Sequence, residues 1–327
     1  MHMADALISP AVGGTMWVTT ATLIGYCAKK VKAELDDRKI PLMGVLGAFI
    51  FAAQMINFTI PVTGSSGHLG GGLILAILLG PHAAFLVMAS VLTIQALFFA
   101  DGGLLALGCN VFNLGFCSCF IAYLIYKKIV RAEPTRGRLF LGSGLAAIIG
   151  LQCGAFSVVL ETLCSGITTL PFTKFVLLMQ PIHLAIGIVE GIVTATVMIF
   201  IWQARPELLE RPANVKPLGQ LSLKPVLVGF AVAAILVGGV ASWFASVRPD
   251  GLEWATFHTT GKEELQAPEN GVHSTLSKIQ EKTAFLPDYS FKTSDSQAKE
   301  NSKPWPAVEP GTSLSGIVGG IAVLLIA

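Results

Sequence analysis

An α-amino group, a backbone nitrogen and the Nδ1 atom of a histidine at position 2 can close two fused chelate rings on one metal ion, and this chain reads Met1-His2. Those three nitrogens lie in a plane and leave a fourth position open. A histidine from elsewhere completes a square-planar set of four nitrogens, a geometry diagnostic of Ni(II) or Cu(II). The amide nitrogen must lose its proton, as metal ligands generally do. The plain alternative is an incidental second-position histidine, since so short a match carries little weight. His68 is the candidate for the fourth position. It sits in Gly64-Ser65-Ser66-Gly67-His68-Leu69-Gly70-Gly71-Gly72. Glycines let this backbone bend, and irregular backbone at membrane depth is tolerated around a buried site. By itself His68 reads better as a loop histidine bonded to a neighbouring carbonyl; with His2 on the same face of the membrane the two readings stand level.

The other histidines carry weaker signals. His82 follows Pro81 near a span end and reads as a boundary residue. His183 lies seven positions before Glu190 in an apolar run, so the two share one helix face. Intramembrane ionisable groups are functional candidates; a polar contact between helices is the competing reading. His258 and His273 fall in a polar stretch and are expected to be solvated. Gln95, Asp101, Asn110 and Asn113 cluster near a span end and the following helix. They could orient a ligand histidine or simply hold helices together. All six cysteines lie in apolar runs and read as small buried residues, not as bridges.

Positioning these residues falls to helices in a bilayer. Of the 327 residues, 53% are hydrophobic and 13% charged, about half the charge of a soluble domain, and the mean hydropathy is +0.68. These values exclude a disordered chain, a nucleic-acid binder and a secreted disulfide scaffold. Apolar runs at 8–28, 41–60, 69–80, 82–100, 103–126, 139–165, 175–204, 225–247 and 312–327 are candidate spans, given about 20 residues per crossing. They are continuous rather than alternating, so they predict helices and not a barrel. The run 69–80 is short, glycine-rich and stopped by Pro81, as a broken span would be.

Lysines and arginines gather at 29–39, 127–138 and 205–224, which the positive-inside rule assigns to the cytoplasm. The N-terminus and the polar stretch 248–311 then face outward, and that stretch is expected to be a loosely folded accessory loop without metal ligands. No basic region leads the first run and Lys29-Lys30 follows it, which predicts an uncleaved first helix rather than a signal peptide. The expected architecture is an all-α polytopic membrane protein, with a core of about seven helices followed by two C-terminal transmembrane helices that flank the outward loop.

Several separated blocks resemble the CbiM/NikM family: Met1 to Pro10, the stretch from Gly64 to Gly72, Phe99-Ala100-Asp101-Gly102-Gly103-Leu104, Leu107-Gly108-Cys109-Asn110, and His183 to Gly191. Members of that family are the substrate-binding (S) components of energy-coupling-factor (ECF) importers for nickel or cobalt. Beyond about residue 205, Pro249-Asp250-Gly251-Leu252-Glu253 resembles the signature of the PDGLE region of fused NikMN proteins, and Pro287-Asp288-Tyr289 fits its continuation. The resemblance divides the chain into a metal-binding membrane domain at 1–205, a cytoplasmic linker at 206–224 and a PDGLE-like region at 225–327. It implies that the Met1 amine, the backbone and side chain of His2, and His68 hold the ion, with Gln95, Asp101, Asn110 and His183 as candidates for the surrounding shell. It implies Ni(II) as transported substrate, with Co(II), the cation supplied for cobalamin synthesis, as the alternative. It also implies a transmembrane coupling (T) protein and two cytoplasmic ATPases as partners.

The chain has no G-x-x-x-x-G-K-[ST] phosphate loop, and its Gly261-Lys262 pair is followed by glutamates, so energy is expected to come from separate chains. Small residues such as Ala11 and Thr15, or Ala21 and Gly25, would let a partner helix approach the first span. Two other classes remain open on sequence alone. A metal-dependent membrane enzyme needs a general base and an open coordination position, and no His-Glu-x-x-His pattern is present. An accessory membrane protein would use its histidines for polar contacts alone.

Overall fold

A computed structural model of the chain describes residues 2–34, 39–61, 63–131, 134–209, 223–262, 265–292 and 305–327. Met1 and most of the expected linker 206–224 lie outside the described residues. The chain is almost entirely helical. Pro10 opens α1 (Pro10–Glu34), and α2 (Lys39–Gln54) follows. A two-stranded antiparallel hairpin, β1 (Phe58–Thr59) with β2 (Ser66–Gly67), pairs Phe58 with Gly67. Next come α3 (Gly72–Leu79) and α4 (Pro81–Phe99), separated by Gly80 at φ 87°. Eight residues rise only about 12 Å, so α3 cannot cross a bilayer alone. The expectation of a broken span at 69–80 fits this kink.

The expected run 103–126 is instead a loop followed by one continuous helix, α5 (Leu107–Val130), whose middle part Val111–Ala122 is wound as a π-helix. Residues 100–103 cannot begin that helix, because Ala100 and Gly102 take positive φ angles of 56° and 80°. Then come α6 (Arg136–Ser165), capped by the Thr135 side chain and ended by Gly166 at φ 62°, and α7 (Phe172–Ala204). The expected span 225–247 stops early: α8 (Lys224–Gly239) gives way to a short 3-10 turn at Ala241–Phe244. The last helix is α11 (Pro310–Ile326).

Among the described residues, four helices are long and apolar enough to cross a membrane: α4, α5, α6 and α7. The apolar helices α2, α8 and α11 are shorter and pack on one another. Small residues let their backbones meet, as in membrane helix pairs generally: a Cβ on Gly316 would stand 2.5 Å from the Gly238 carbonyl oxygen. The long pair α6 and α7 forms the opposite side of the bundle. The chain is a multi-pass, helical membrane protein.

The stretch 248–311 corrects the expectation of a loosely folded loop. It contains α9 (Gly251–Thr260) and α10 (Gly271–Thr283). The sequence Pro249-Asp250-Gly251-Leu252-Glu253 is a helix start. Asp250 Oδ1 accepts from the backbone of Leu252 and Glu253 at 2.7 and 2.8 Å, while Glu253 Oε2 accepts from Asp250 N at 2.8 Å, the reciprocal capping box. This start is tied to the hairpin, since Ser66 N donates to Pro249 O at 2.8 Å. His273 is likewise not solvated; it is buried with Nε2 2.9 Å from the Ile8 carbonyl oxygen. His258 is exposed, as expected, and stacks on Trp254. Two cysteines depart from the buried expectation: Cys153 is half-buried and Cys164 exposed, and no cysteine among the described residues is bridged.

Candidate metal centre

The first residues are held inside the protein by polar groups that mimic a strand partner. Met3 N donates to Asn110 Oδ1 at 2.7 Å, and Asn110 Nδ2 donates back to Met3 O at 3.2 Å. Gly103 N donates to the same carbonyl at 2.9 Å, and Asp5 Oδ1 accepts from Ala106 N at 3.0 Å. Met3 and Ile8 are fully buried. Gly103 has to be glycine, because a Cβ there would overlap Asp5 Oδ1. This clamp carries His2 into a cavity of about 480 Å³ whose wall includes Gln54, His68, Asp101, Asp250 and Tyr289.

His2 and His68 meet there. Their rings stack with centroids 5.2 Å apart and planes 20° from parallel. A chain of amides reaches His2 from the His68 loop. The Gly70 carbonyl accepts from Gln54 Nε2 at 2.7 Å; Gln54 Oε1 accepts from Gln95 Nε2 at 2.8 Å; and Gln95 Oε1 lies 3.1 Å from His2 Nε2. A backbone carbonyl only accepts, so each amide in the chain has one possible orientation. His2 Nε2 must therefore donate, and in the neutral ring Nδ1 keeps a lone pair. That lone pair faces Asp101 Oδ1, another acceptor, at 3.2 Å. Two acceptors in contact call for a cation or a proton between them.

Similar logic applies to His68. Its Nδ1 lies 3.0 Å from the Leu69 carbonyl oxygen, so Nδ1 donates and Nε2 holds a lone pair, buried without a partner. Burial, with the adjacent His2 ring, pushes the His68 imidazole down to about 3. Burial also lowers His2, against the opposing pull of Asp101. Both rings are thus neutral at neutral pH, the form that binds metal. The stacked rings do not yet share one plane, so a square-planar set requires one ring to turn.

The loop bearing His68 is held from beneath. Gly70 N and Gly71 N donate to the two oxygens of the Glu190 carboxylate at 2.8 and 3.0 Å. Glu190 and His183 share a face of α7, as expected, but the two do not bond; His183 Nδ1 contacts the Met179 carbonyl oxygen at 2.8 Å. Asn113 donates to Glu161 at 2.7 Å and ties α5 to α6. His82 sits at the start of α4, edge-on to Tyr26 and Phe120. Two site residues escaped the sequence reading. Gln54, a lone amide inside the apolar run 41–60, offered a weak signal. Tyr289, whose hydroxyl donates to Asp101 Oδ2 at 2.5 Å, belonged to the PDGLE-like stretch but carried no sign of a role at this site, being 188 positions from its partner. Among the described residues, no three His, Cys, Asp or Glu side chains stand grouped to hold an ion.

Comparisons with known proteins agree with this layout. The family model described as the cobalt uptake substrate-specific transmembrane region, CbiM, matches residues 2–208, and that of the PDGLE domain matches 224–327. A protein of Archaeoglobus fulgidus named as a fused nickel transport protein, NikMN, is 32% identical over 99% of this chain and 96% of its own length. The fused nickel transport protein NikMN of Rhodobacter capsulatus is 30% identical over 88% of each chain. The cobalt transport protein CbiM of Sorangium cellulosum is 29% identical over 64% of this chain and 95% of its own. A crystal structure of a truncated transition metal transporter superposes with a TM-score of 0.56 at 29% identity, covering 62% of this chain and 99% of that one. The chain belongs to the CbiM family, with a PDGLE domain joined to its C-terminal side.

Proposed function

We propose that this chain is the substrate-binding membrane subunit of an ECF importer, and that it captures Ni(II) from the outer face of the cell membrane in the His2–His68 cavity. The observation that carries this reading is the amide chain from Gly70 to Gln95, which leaves His2 Nδ1 as a lone pair opposite Asp101. Nδ1 is the nitrogen that closes a chelate ring with the backbone nitrogen of residue 2 and an amine at Met1. His68 Nε2 supplies the fourth nitrogen after its ring turns out of the stack. The Asp101 carboxylate offsets the charge of the ion. Nickel is favoured over Co(II) because nickel stands higher in the affinity order for nitrogen sites. A second support is that the two relatives cited over most of this chain's length carry nickel in their names, whereas the cobalt relative matches only the first part.

Import further needs a coupling protein and two ATPases. The open face of α1, where a Cβ on Gly14 or Gly25 would meet no other part of the fold within 4 Å, suits a helix of the coupling protein. The orientation in this proposal follows the basic segments, with the N-terminus and 248–311 outside. The test is nickel content of the purified full chain with its native start, beside a His2→Ala variant and an N-terminally extended one. One nickel per native chain and loss in both variants is the expected result. Equal nickel in all three removes the chelate.

A further inference from the structure

His68 walls two cavities at once. Besides the one it shares with His2, it lines, with His183 and Asp250, a second void of about 10 Å³, room for one water-sized occupant. Glycines keep this void open. Gly67, Gly70 and Gly251 all border it, and a Cβ on Gly251 would already stand 3.3 Å from His183 Cε1. Leu114, Leu151 and Ile186 make the remaining wall apolar, so the occupant answers to very few polar groups.

Those groups are set as metal ligands are. His183 is 1% exposed on α7. Its Nδ1 faces the Met179 carbonyl, which only accepts, so Nδ1 carries the proton and Nε2 keeps its lone pair. His68 is fixed in the same way by Leu69. A backbone carbonyl on the far ring nitrogen is the usual second partner of a metal-bound histidine. Both Nε2 atoms are buried with no hydrogen-bond partner. Two carboxylates lie close to this void. Asp250 lines it, and Glu190 grips the backbone of Gly70.

We propose that the void between His68 and His183 is a second, inner position for the transported divalent cation, reached when His68 exchanges His2 for His183 as its partner. The inference rests on the outer-site reading above. With two imidazoles and no chelate ring, the inner position binds more weakly than the outer one, as a transfer step requires. A trapped water donating one hydrogen to each nitrogen would fill the same space.

Equilibrium dialysis of Ni(II) against the full chain in detergent, native start retained, separates these cases. Loss of a ligand in His2→Ala weakens the tight site by at least about a hundredfold. The residual binding of His2→Ala should disappear when His183→Phe is added. His183→Asn, which keeps a small polar side chain, is read in place of His183→Phe if the latter lowers the thermal midpoint. Residual binding that ignores both His183 variants, or no residual binding in His2→Ala, overturns the inner position and leaves water as the occupant. A native chain that binds no nickel overturns the outer-site reading and this one with it.

Discussion

At the scale of single residues, the centre depends on which ring nitrogen carries a proton, and that is decided some distance from the ring. The Gly70 carbonyl orients Gln54, Gln54 orients Gln95, and Gln95 fixes His2 as the Nε2–H tautomer. Breaking the relay should cost affinity without touching a ligand. Gln95→Leu is expected to weaken Ni(II) binding about 10- to 100-fold, the usual effect of losing an outer-shell partner, with an unchanged helical circular dichroism spectrum; dialysis measures the first. The histidines themselves were legible, because their types and positions name a chemistry. The relay was not: glutamines at positions 54 and 95 become neighbours only when α2 and α4 pack side by side.

At the scale of elements, small residues and broken helices create the space in which the site forms. Gly71 at φ 75° ahead of α3 and the late start of α5 leave non-helical backbone at 68–71 and 100–106, whose N–H and C=O groups then serve the site. Gly103 is the tightest point, since any Cβ would collide with Asp5. Gly103→Ala is expected to push the N-terminal segment out of its clamp, at a cost of about 1–3 kcal/mol for overpacking. Faster limited proteolysis of the first ten residues, together with lost nickel binding, would report it. The sequence predicted most helices because continuous apolar runs have no other solution in a bilayer. It misplaced the start of α5 and the ends of α2 and α8, where apolar residues extend beyond the helix.

At the scale of the whole molecule, the PDGLE part roofs the centre rather than trailing from it. Gln280 Nε2 donates to the carbonyls of Ala96 and Gly102 at 2.9 and 2.7 Å, His273 meets Ile8, and Tyr289 holds Asp101. Tyr289→Phe should free one oxygen of Asp101 and weaken nickel binding by about tenfold; an unchanged dissociation constant would mean that the roof only covers. On the other side of the bundle, Gly25→Leu on the open face of α1 should leave nickel binding intact. It should lower nickel uptake in cells that also make the coupling protein and ATPases, because close helix approach in membranes needs small residues.

The amino-acid sequence by itself determined that this is a helical membrane protein and singled out His2 and His68 as side chains whose type could serve a metal, since hydropathy and donor type are local properties of the chain. The capping box at Asp250 is written within four residues, yet by composition the polar stretch around it reads as a loose loop. Only the tertiary structure decided that Tyr289 and Gln54 gather around those histidines. Contacts between residues up to 265 positions apart depend on how helices pack and where glycines let backbones touch, and no local pattern records that geometry.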